Sequence, residues 1–434
     1  MKKFVLIFLL FFFTSLSAED MTLRESYERA LSYEASIKSN MYQTSAKKEE
    51  IDQARSRLYP KVDVSAAGNW GDYKIASTGG KRYESYSTLK LSGQLPLYHP
   101  ENFNMLDQAK LKYRLSTLNL KQLKQDLALK VTDSFLSIIK ARNSLSVAKA
   151  YRALNKAKYL QIEKKFNKRL SNKMDLLQSR VTYEESIIKV SIERRNLRIE
   201  KYKFKNLTGI DIEALELPSV DFEHLDVSSL IMPFSKKELM GANLEIKEAE
   251  IQLAISRKEV KNASYSRYPK ADLSANIAKY DNPSRYRDYD HEETAMVIVK
   301  LPLYDGGYAS ASIVQNEELS RASAEDLNQI IREKEFNYDQ YTTDLKTARE
   351  NIALYKETIA SAKLYLYATN KGYEHGLKSL IDVEVAKARL YESKIKLIDS
   401  VYNFMKAYAS LLNIYGLLDP DKLDLLDHTL LPNF

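Results

Sequence analysis

The sequence has no cysteine, and among its 434 residues it has only 1 tryptophan, 5 histidines, 10 prolines and 12 glycines. Without cysteine the chain can form neither a disulfide framework nor a thiolate metal site. The histidines are scattered without the spacing of a zinc-binding helix, and no glycine-rich phosphate loop or nucleophile elbow is present. We therefore expect no enzymatic activity, no cofactor and no bound metal.

Long apolar runs are also scarce. One such run, residues 4–13, follows two lysines and precedes mainly small residues. This order is typical of a secretory signal peptide, which we place at residues 1–18, with cleavage after Ala18 or, as a second choice, after Ser17. No other segment approaches the roughly 18 consecutive apolar residues of a membrane-spanning helix, so the sequence predicts an exported chain without one.

The formal net charge of +8 does not indicate a nucleic-acid partner. Lysine, arginine, aspartate and glutamate alternate along helical patterns instead of forming blocks, which is typical of solvated helix faces. An exported chain would also not meet nucleic acid, and we expect none as a partner.

One stretch occurs twice and organises the chain. Residues Tyr59–Ala66 and Tyr268–Ala275 both read Tyr-Pro-Lys-x-Asp-x-Ser-Ala, and each is followed by a Leu-Pro-Leu-Tyr stretch, at 95–98 and 301–304. Proline disfavours helix at the preceding residue, so it suits the change from a helical pattern to a strand pattern that occurs there. A recurrence after about 200 residues is too long for a solenoid and indicates two structural repeats. We assign them to 19–215 and 235–416, joined by a linker at 216–234 and followed by a C-terminal tail at 417–434.

Alternation of apolar and polar residues predicts four strands. In the first, Val62 and Val64 fall on one face while Asp63 and Ser65 fall on the other. The length and the alternation match transmembrane β-strands, although a soluble hairpin pair packed on a helix would show the same pattern. The signal peptide and the duplication favour the membrane. The predicted strands are 62–73, 86–98, 270–280 and 294–304.

Each strand pair is followed by a very long helical segment, at 104–168 and 308–371, in which neither proline nor glycine occurs. At 1.5 Å per residue, about 60 residues extend roughly 90 Å. Apolar residues of the second segment, from Tyr338 to Leu366, recur in alternating steps of three and four, which predicts a left-handed coiled coil. Short turns near 170–173 and 376–379 lead into returning helices.

The duplicated stretches, together with Pro302–Gly307 and Gly376–Val383, resemble the TolC-type outer-membrane efflux family along nearly the whole mature chain. The resemblance implies a mixed fold, in which a long antiparallel α-helical coiled-coil barrel is joined to a transmembrane β-barrel. Each chain supplies four strands, so that a homotrimer forms a 12-stranded barrel in the outer membrane of a Gram-negative-type cell, with a periplasmic helical tunnel below it.

Physical arguments agree with a trimer. A four-stranded sheet has two open edges, which lipid does not tolerate, so several chains must close one barrel. Two chains would give an eight-stranded barrel whose interior side chains nearly fill, whereas three leave room for a channel.

The resemblance also implies a periplasmic gate at the two helical turns, formed by acidic and aromatic residues. Lys378 stands where other members have arginine, and the tip sequences His375-Gly376-Leu377 and Lys168-Arg169-Leu170 depart from the family pattern. Because acidic residues after a turn also cap helices, capping is an equal alternative to gating. The candidate gate residues are Asp175, Tyr373, Lys378, Asp382 and Glu384, and Pro60, Pro96, Pro269 and Pro302 are expected at the junction of barrel and tunnel.

The function that the resemblance implies is a passive exit duct of a tripartite efflux or type I secretion system. The expected partners are outer-membrane lipid, a periplasmic adaptor protein and an inner-membrane transporter of the RND or ABC type. An exported structural coiled-coil surface protein without channel activity is the alternative, but it does not explain four strands placed alike in two halves. The sequence leaves open whether drugs, metal ions or proteins pass.

Overall fold

The computed structural model describes residues 21–74, 79–210, 220–227, 230, 235–281 and 289–430. The predicted signal peptide, 1–18, lies outside the described residues. The helices are α1 (Leu23–Tyr33), α2 (Ala35–Ser56), α3 (Pro100–Asn167), α4 (Lys173–Thr208), α5 (Lys236–Ala242), α6 (Leu244–Tyr265), α7 (Tyr308–Glu374), α8 (Leu380–Ile414) and α9 (Pro420–Leu430). The strands are β1 (Lys61–Lys74), β2 (Lys81–Tyr98), β3 (Lys270–Asp281) and β4 (His291–Lys300). The predicted combination of very long helices with four strands is confirmed.

The four strands form one antiparallel sheet in the order β1-β2-β3-β4. Its register aligns most apolar positions of the four strands. One cross-strand row runs Val64, Leu91, Ile277 and ends at Glu293 on β4, and the neighbouring row on the opposite face runs Asp63, Ser92, Asn276, Thr294. Side chains of one row point to the same face of a sheet, so one face is mainly apolar and the other mainly polar.

Two strands differ in extent from the pattern that suggested them. β2 begins at Lys81, before the predicted 86, and a register irregularity lies between Pro96 and Tyr98. β4 covers His291–Lys300, so it starts earlier and stops before the predicted 304. Pro302 lacks the N–H that would continue the ladder, which explains the early end.

The chain divides into two compact units. The first comprises Met1–Ala35, Leu123–Ala242 and Lys334–Phe434, and the second comprises Ser36–Gln122 and Asn243–Glu333. The whole sheet belongs to the second unit. Helices α3 and α7 contribute residues to both.

Helix α8 supplies much of the core of the first unit. Leu397, Val401 and Phe404 are each 1 % exposed. The rings of Phe135 on α3 and Phe204 on α4 lie 6.4 Å apart, centroid to centroid. Among the described residues, no helix is both long enough and apolar enough to cross a membrane.

The predicted C-terminal tail, 417–434, contains helix α9, which packs against α1. Leu423 and Leu426 are buried on α9, and Leu23 is buried on α1. The N-terminus of α1 has two caps: Thr22 and Glu25 form a capping box, and Asp427 Oδ2 accepts a hydrogen bond from Leu23 N at 2.6 Å. Helix α9 therefore holds the N-terminus of α1 in place.

Candidate functional site

The turn between α3 and α4 holds Asp175 at the start of α4. Arg169 adopts a positive φ of 61°, and Leu170 N donates to Lys165 O at 2.8 Å, which closes the end of α3. Asn172 caps α4 by accepting a hydrogen bond from Asp175 N at 2.7 Å. Ser171 Oγ donates to Asp175 Oδ2 at 3.3 Å, so this carboxylate is tied to its own turn.

The turn between α7 and α8 is built in a similar way. Gly376, at φ 73°, lies just beyond the end of α7, where a positive φ suits glycine, and Leu377 N donates to Gly372 O at 2.7 Å. Ser379 and Asp382 form a capping box at the start of α8. The hydrogen bonds from Ser379 lower the pKa of Asp382. Asp382 is therefore part of the cap of α8 in the single chain. Because the hydrogen bonds of the cap lower its pKa, the carboxylate keeps its negative charge.

Lys378 is exposed and folds back toward α7. Its Cγ stands so close to Gly372 that a Cβ added to the glycine would lie 2.8 Å from it. A side chain at position 372 would displace the lysine from this position.

Tyr373, at the end of α7, contacts lysines of α3. Lys158 Nζ lies 4.1 Å from the centroid of the tyrosine ring, and Lys165 Nζ lies 5.5 Å from it. Burial raises the pKa of Tyr373, and the negative charge of Asp175 raises it further. Within one chain, the partners of this predicted gate residue are thus cations over its ring, with Asp175 acting through its charge.

Glu384 is placed differently from the other candidate gate residues, because it is buried against α3. Its Oε1 lies 3.0 Å from Nζ of Lys387, one turn further along α8. Lys387 Nζ also donates to Asn155 Oδ1 on α3 at 3.2 Å. The sequence pattern did not single out Lys387 and Asn155, because nothing in the periodicity of α8 tells which of its polar side chains face another helix.

Apolar side chains are exposed at both helical turns. Leu170 and Met174 are each 73 % exposed at the first turn, while Leu377 is 79 % and Ile381 61 % exposed at the second. Large apolar groups left in water at the end of a helical hairpin are typical of a surface that contacts another molecule.

The four prolines singled out in the sequence lie where strands begin or end. Pro60 and Pro269 directly precede β1 and β3, and Pro302 follows β4. Pro96 lies near the end of β2, at the register irregularity. All four therefore mark the passage between sheet and helices.

A charged cluster that sequence reasoning missed lies at the same passage. The ring of His99 stands between two carboxylates, with Nδ1 3.2 Å from Glu101 Oε1 and Nε2 3.1 Å from Asp272 Oδ1. Lys270 Nζ lies 2.5 Å from Glu101 Oε1. Burial opposes ionisation of Glu101, but the hydrogen bonds that it accepts from Lys270 and His99 lower its pKa overall. The available signal was that His99 directly follows the duplicated Leu-Pro-Leu-Tyr stretch.

The cluster does not form a metal site. Among the residues that the structure describes, no three or more histidine, aspartate or glutamate side chains are arranged to hold a metal ion.

A sheet with one exposed apolar face, joined through prolines to very long antiparallel helices, defines a channel subunit of the outer-membrane type. Comparison with known proteins agrees: the family model described as outer membrane efflux protein matches residues 26–208 and 237–417. The chain belongs to the outer membrane efflux protein family.

The two matched segments correspond to the two halves of the duplication. The outer membrane protein TolC of Vibrio cholerae is 22 % identical over 407 residues, covering 91 % of each chain. The alkaline protease secretion protein AprF of Pseudomonas aeruginosa is 22 % identical over 415 residues, covering 93 % of this chain and 86 % of AprF. The crystal structure of the outer membrane protein VceC from Vibrio cholerae superposes with a TM-score of 0.81 at 15 % identity, over 91 % of this chain and 96 % of VceC.

Members of this family are outer-membrane channels, and this chain is accordingly an outer-membrane exit duct for efflux or secretion. The predicted fold class and location are confirmed.

Proposed function

We propose that three copies of this chain close one 12-stranded barrel in the outer membrane and continue as a periplasmic tunnel. The observation that carries the proposal is the four-stranded sheet, in which β1 and β4 each have one edge without a partner strand among the described residues. In lipid, backbone N–H and C=O groups on an open edge have no water to bind, so the edge must pair with another strand. Pairing of β1 with β4 of the next copy satisfies both edges.

The apolar face of the sheet supports contact with outer-membrane lipid. Val62, Val64, Val297 and Val299 are between 61 % and 70 % exposed in the single chain. A band of exposed valines on strands of 10 to 18 residues is long enough to cross the hydrocarbon layer, while the polar face fits a water-filled interior. An exported coiled-coil surface protein would have no use for such a face.

The expected partners are a periplasmic adaptor and an inner-membrane transporter of the RND or ABC type, which supply selection and energy. The exposed apolar groups at the two helical turns, Leu170, Met174, Leu377 and Ile381, provide a contact surface for the adaptor. AprF is named for the secretion of alkaline protease, which supports proteins among the possible cargo.

The duct is closed at its periplasmic end by the residues of the two turns. Under threefold symmetry Asp382 occurs three times around one axis, so a constriction there concentrates negative charge and favours cations. Lys378 lies close enough to Asp382 to lower its pKa, and Asp175 lies close enough to Tyr373 to raise the pKa of the tyrosine. Contacts of these side chains between neighbouring chains hold the ring closed until an adaptor docks.

The trimer is tested by disulfide cross-linking in the outer membrane. The sequence has no cysteine, so only the introduced cysteines can form disulfides. Ala66→Cys on β1 is combined with one cysteine on β4, at Glu293, Ala295, Val297 or Val299 in turn, since these positions lie on the same face of the sheet as Ala66. At the matching register, oxidation should give a ladder that ends at three chains. In the control, Thr88→Cys on the central strand β2 replaces the β1 cysteine and should give single chains only. A ladder continuing beyond three chains, or no cross-link at any register, would contradict the closed trimer.

The gate is tested by single-channel conductance in planar bilayers. Tyr373→Phe combined with Lys378→Ser should open the resting duct and raise its conductance, whereas Tyr367→Phe, a change at a tyrosine of α7 that is 63 % exposed, should not. Asp382→Ala should lower the preference for cations, and Asp382→Asn, which keeps a capping oxygen but not the charge, should lower it equally. Unchanged conductance and selectivity in these variants would leave the residues as helix caps only.

A further inference from the structure

The strongest unexplained feature outside the turns is the buried polar cluster between α3 and α8. Asn155 is 2 % exposed, Lys387 5 % and Glu384 8 %. Charged side chains are rarely buried this deeply unless they are paired, and this pair lies on a helix that flanks the proposed gate.

The cluster joins two helices through a single hydrogen bond. Glu384 and Lys387 are one turn apart on α8 and move with that helix, so the bond between them survives any displacement of α8. The bond from Lys387 Nζ to Asn155 Oδ1 is the one in this cluster that crosses to α3, and it breaks when α8 leaves α3.

The cluster is only partly satisfied in the described structure. Glu384 Oε2 is buried without a hydrogen-bond partner among the described residues. Separation of α8 from α3 would expose this atom, and the charged pair, to water. A buried charged pair on the face that one helix turns toward another stabilises their contact less than well-packed apolar side chains of similar volume.

The surroundings of the cluster give room for such a separation. A cavity of about 220 Å³ beside it is lined by Lys387, Tyr151, Leu154, Leu366 and Leu390, among others. Helices α3, α7 and α8 all contribute to its walls, and it opens to solvent on one side in the single chain.

The cluster is also coupled to the gate tyrosine through α3. Lys158, one turn beyond Asn155, is the lysine whose Nζ lies 4.1 Å from the ring centroid of Tyr373. Burial lowers the pKa of Lys158, and the positive charge of Lys387 lowers it further. One face of α3 thus holds α8 through Asn155 and α7 through Lys158.

We propose that Asn155, Lys387 and Glu384 are positioning residues for the gate, forming a releasable contact whose polarity sets how readily the α7–α8 hairpin separates from α3 when the duct opens. The inference rests on the proposed gate, and it identifies residues within one chain that set how easily that gate opens. Removal of one charge leaves the other buried and unpaired, which favours the open duct. Replacement of both charges by apolar side chains packs the contact and favours the closed duct.

The test measures the fraction of time that single trimers spend open in planar bilayers. Lys387→Met should raise this fraction roughly tenfold, because it leaves Glu384 buried without a counter-charge. Glu384→Leu combined with Lys387→Met should return the fraction to the wild-type value or below it, and Lys387→Arg should resemble wild type. If Lys387→Met does not assemble, Glu384→Gln carries the same expectation, since it removes the opposite charge with little change of shape.

The matched control is the pair Lys371–Glu374 near the end of α7, which has the same spacing and a 2.9 Å contact but is about half exposed. Lys371→Met, alone or with Glu374→Leu, should leave the open fraction unchanged. A conducting wild type whose open fraction is unaffected by Lys387→Met, or is raised further by the double replacement, overturns this inference alone. A wild-type trimer that never conducts overturns both the inference and the proposed function.

Discussion

At the scale of single residues, the side chains that matter most here are polar groups buried at contacts between helices. Glu384 was predicted as a candidate gate residue, and in the single chain it is buried facing α3, where it pairs with Lys387. His99 was read as one of several scattered histidines, yet it joins two carboxylates at the passage from sheet to helix. In both cases the role depends on which surfaces meet in the fold, and a helical or alternating pattern carries no information about that.

Asp427 predicts a pH dependence for the contact between α9 and α1. Burial raises the pKa of this carboxyl from its ordinary value near 3.8 to about 7. Between these values the folded chain holds a proton that the unfolded chain has released, so stability falls as the pH rises, by up to about 1.4 kcal/mol per pH unit. The dependence ends above the folded pKa, where both states are ionised.

The measurement is amide hydrogen exchange at Leu23 and Arg24, whose N–H groups face Asp427. After correction for the intrinsic effect of pH on exchange, protection should decrease between pH 4 and pH 7 in the wild type. Asp427→Asn keeps an accepting oxygen and should abolish the decrease. Protection with the same pH profile in both proteins would show that Asp427 is not the group responsible.

At the scale of elements, the strands and long helices were predictable because their patterns persist over many residues. The helices observed at 100–167 and 308–374 agree closely with the segments expected from the absence of proline and glycine. The break between α1 and α2 at Glu34, and helix α9, were not foreseen. Both are short features, in which tertiary contacts outweigh local propensity.

Two glycines with the same positive φ allow the free-energy cost of a steric clash to be separated from the cost of the backbone conformation. Gly209 ends α4 and Gly376 follows α7, both at φ 73°. A Cβ at Gly209 would lie 2.5 Å from Cδ2 of Tyr33, whereas nothing lies within 4 Å of a Cβ at Gly376. Gly376→Ala should cost about 1 kcal/mol of folding free energy. Gly209→Ala should cost clearly more, because the tyrosine ring must also move.

Denaturant titration of the two variants measures the difference in the free energy of unfolding. Equal losses would mean that the end of α4 does not pack on Tyr33 as described.

The two faces of the sheet make opposite predictions for neighbouring residues of β1. Val64 is 70 % exposed and lies in the apolar row with Leu91 and Ile277, so Val64→Arg should cost about 2–4 kcal/mol near the middle of the bilayer. Ser65 lies in a row with Lys90 on the opposite face, and Ser65→Arg should be tolerated. The measurement is the free energy of unfolding from lipid vesicles. Equal costs at the two positions would mean that the faces are assigned wrongly.

At the scale of the whole molecule, most of what the sequence predicted follows from the duplication. Two copies of a proline-marked change from helix to strand predicted four strands, and the open edges of such a sheet predicted assembly. The sequence could not say how the candidate gate residues are arranged, because the ring that we propose for them requires neighbouring chains. It also could not name the cargo, since a wide tunnel has no substrate pocket whose chemistry would select one.

The central claim is that this chain forms a passive conduit through the outer membrane, and ion conduction by the purified mature trimer tests it most directly. In a planar bilayer, the three-chain species should insert and conduct in steps of one uniform size with a preference for cations. The steps should increase in the variant that combines Tyr373→Phe with Lys378→Ser. A three-chain species that inserts into the bilayer but conducts in neither form would contradict the account.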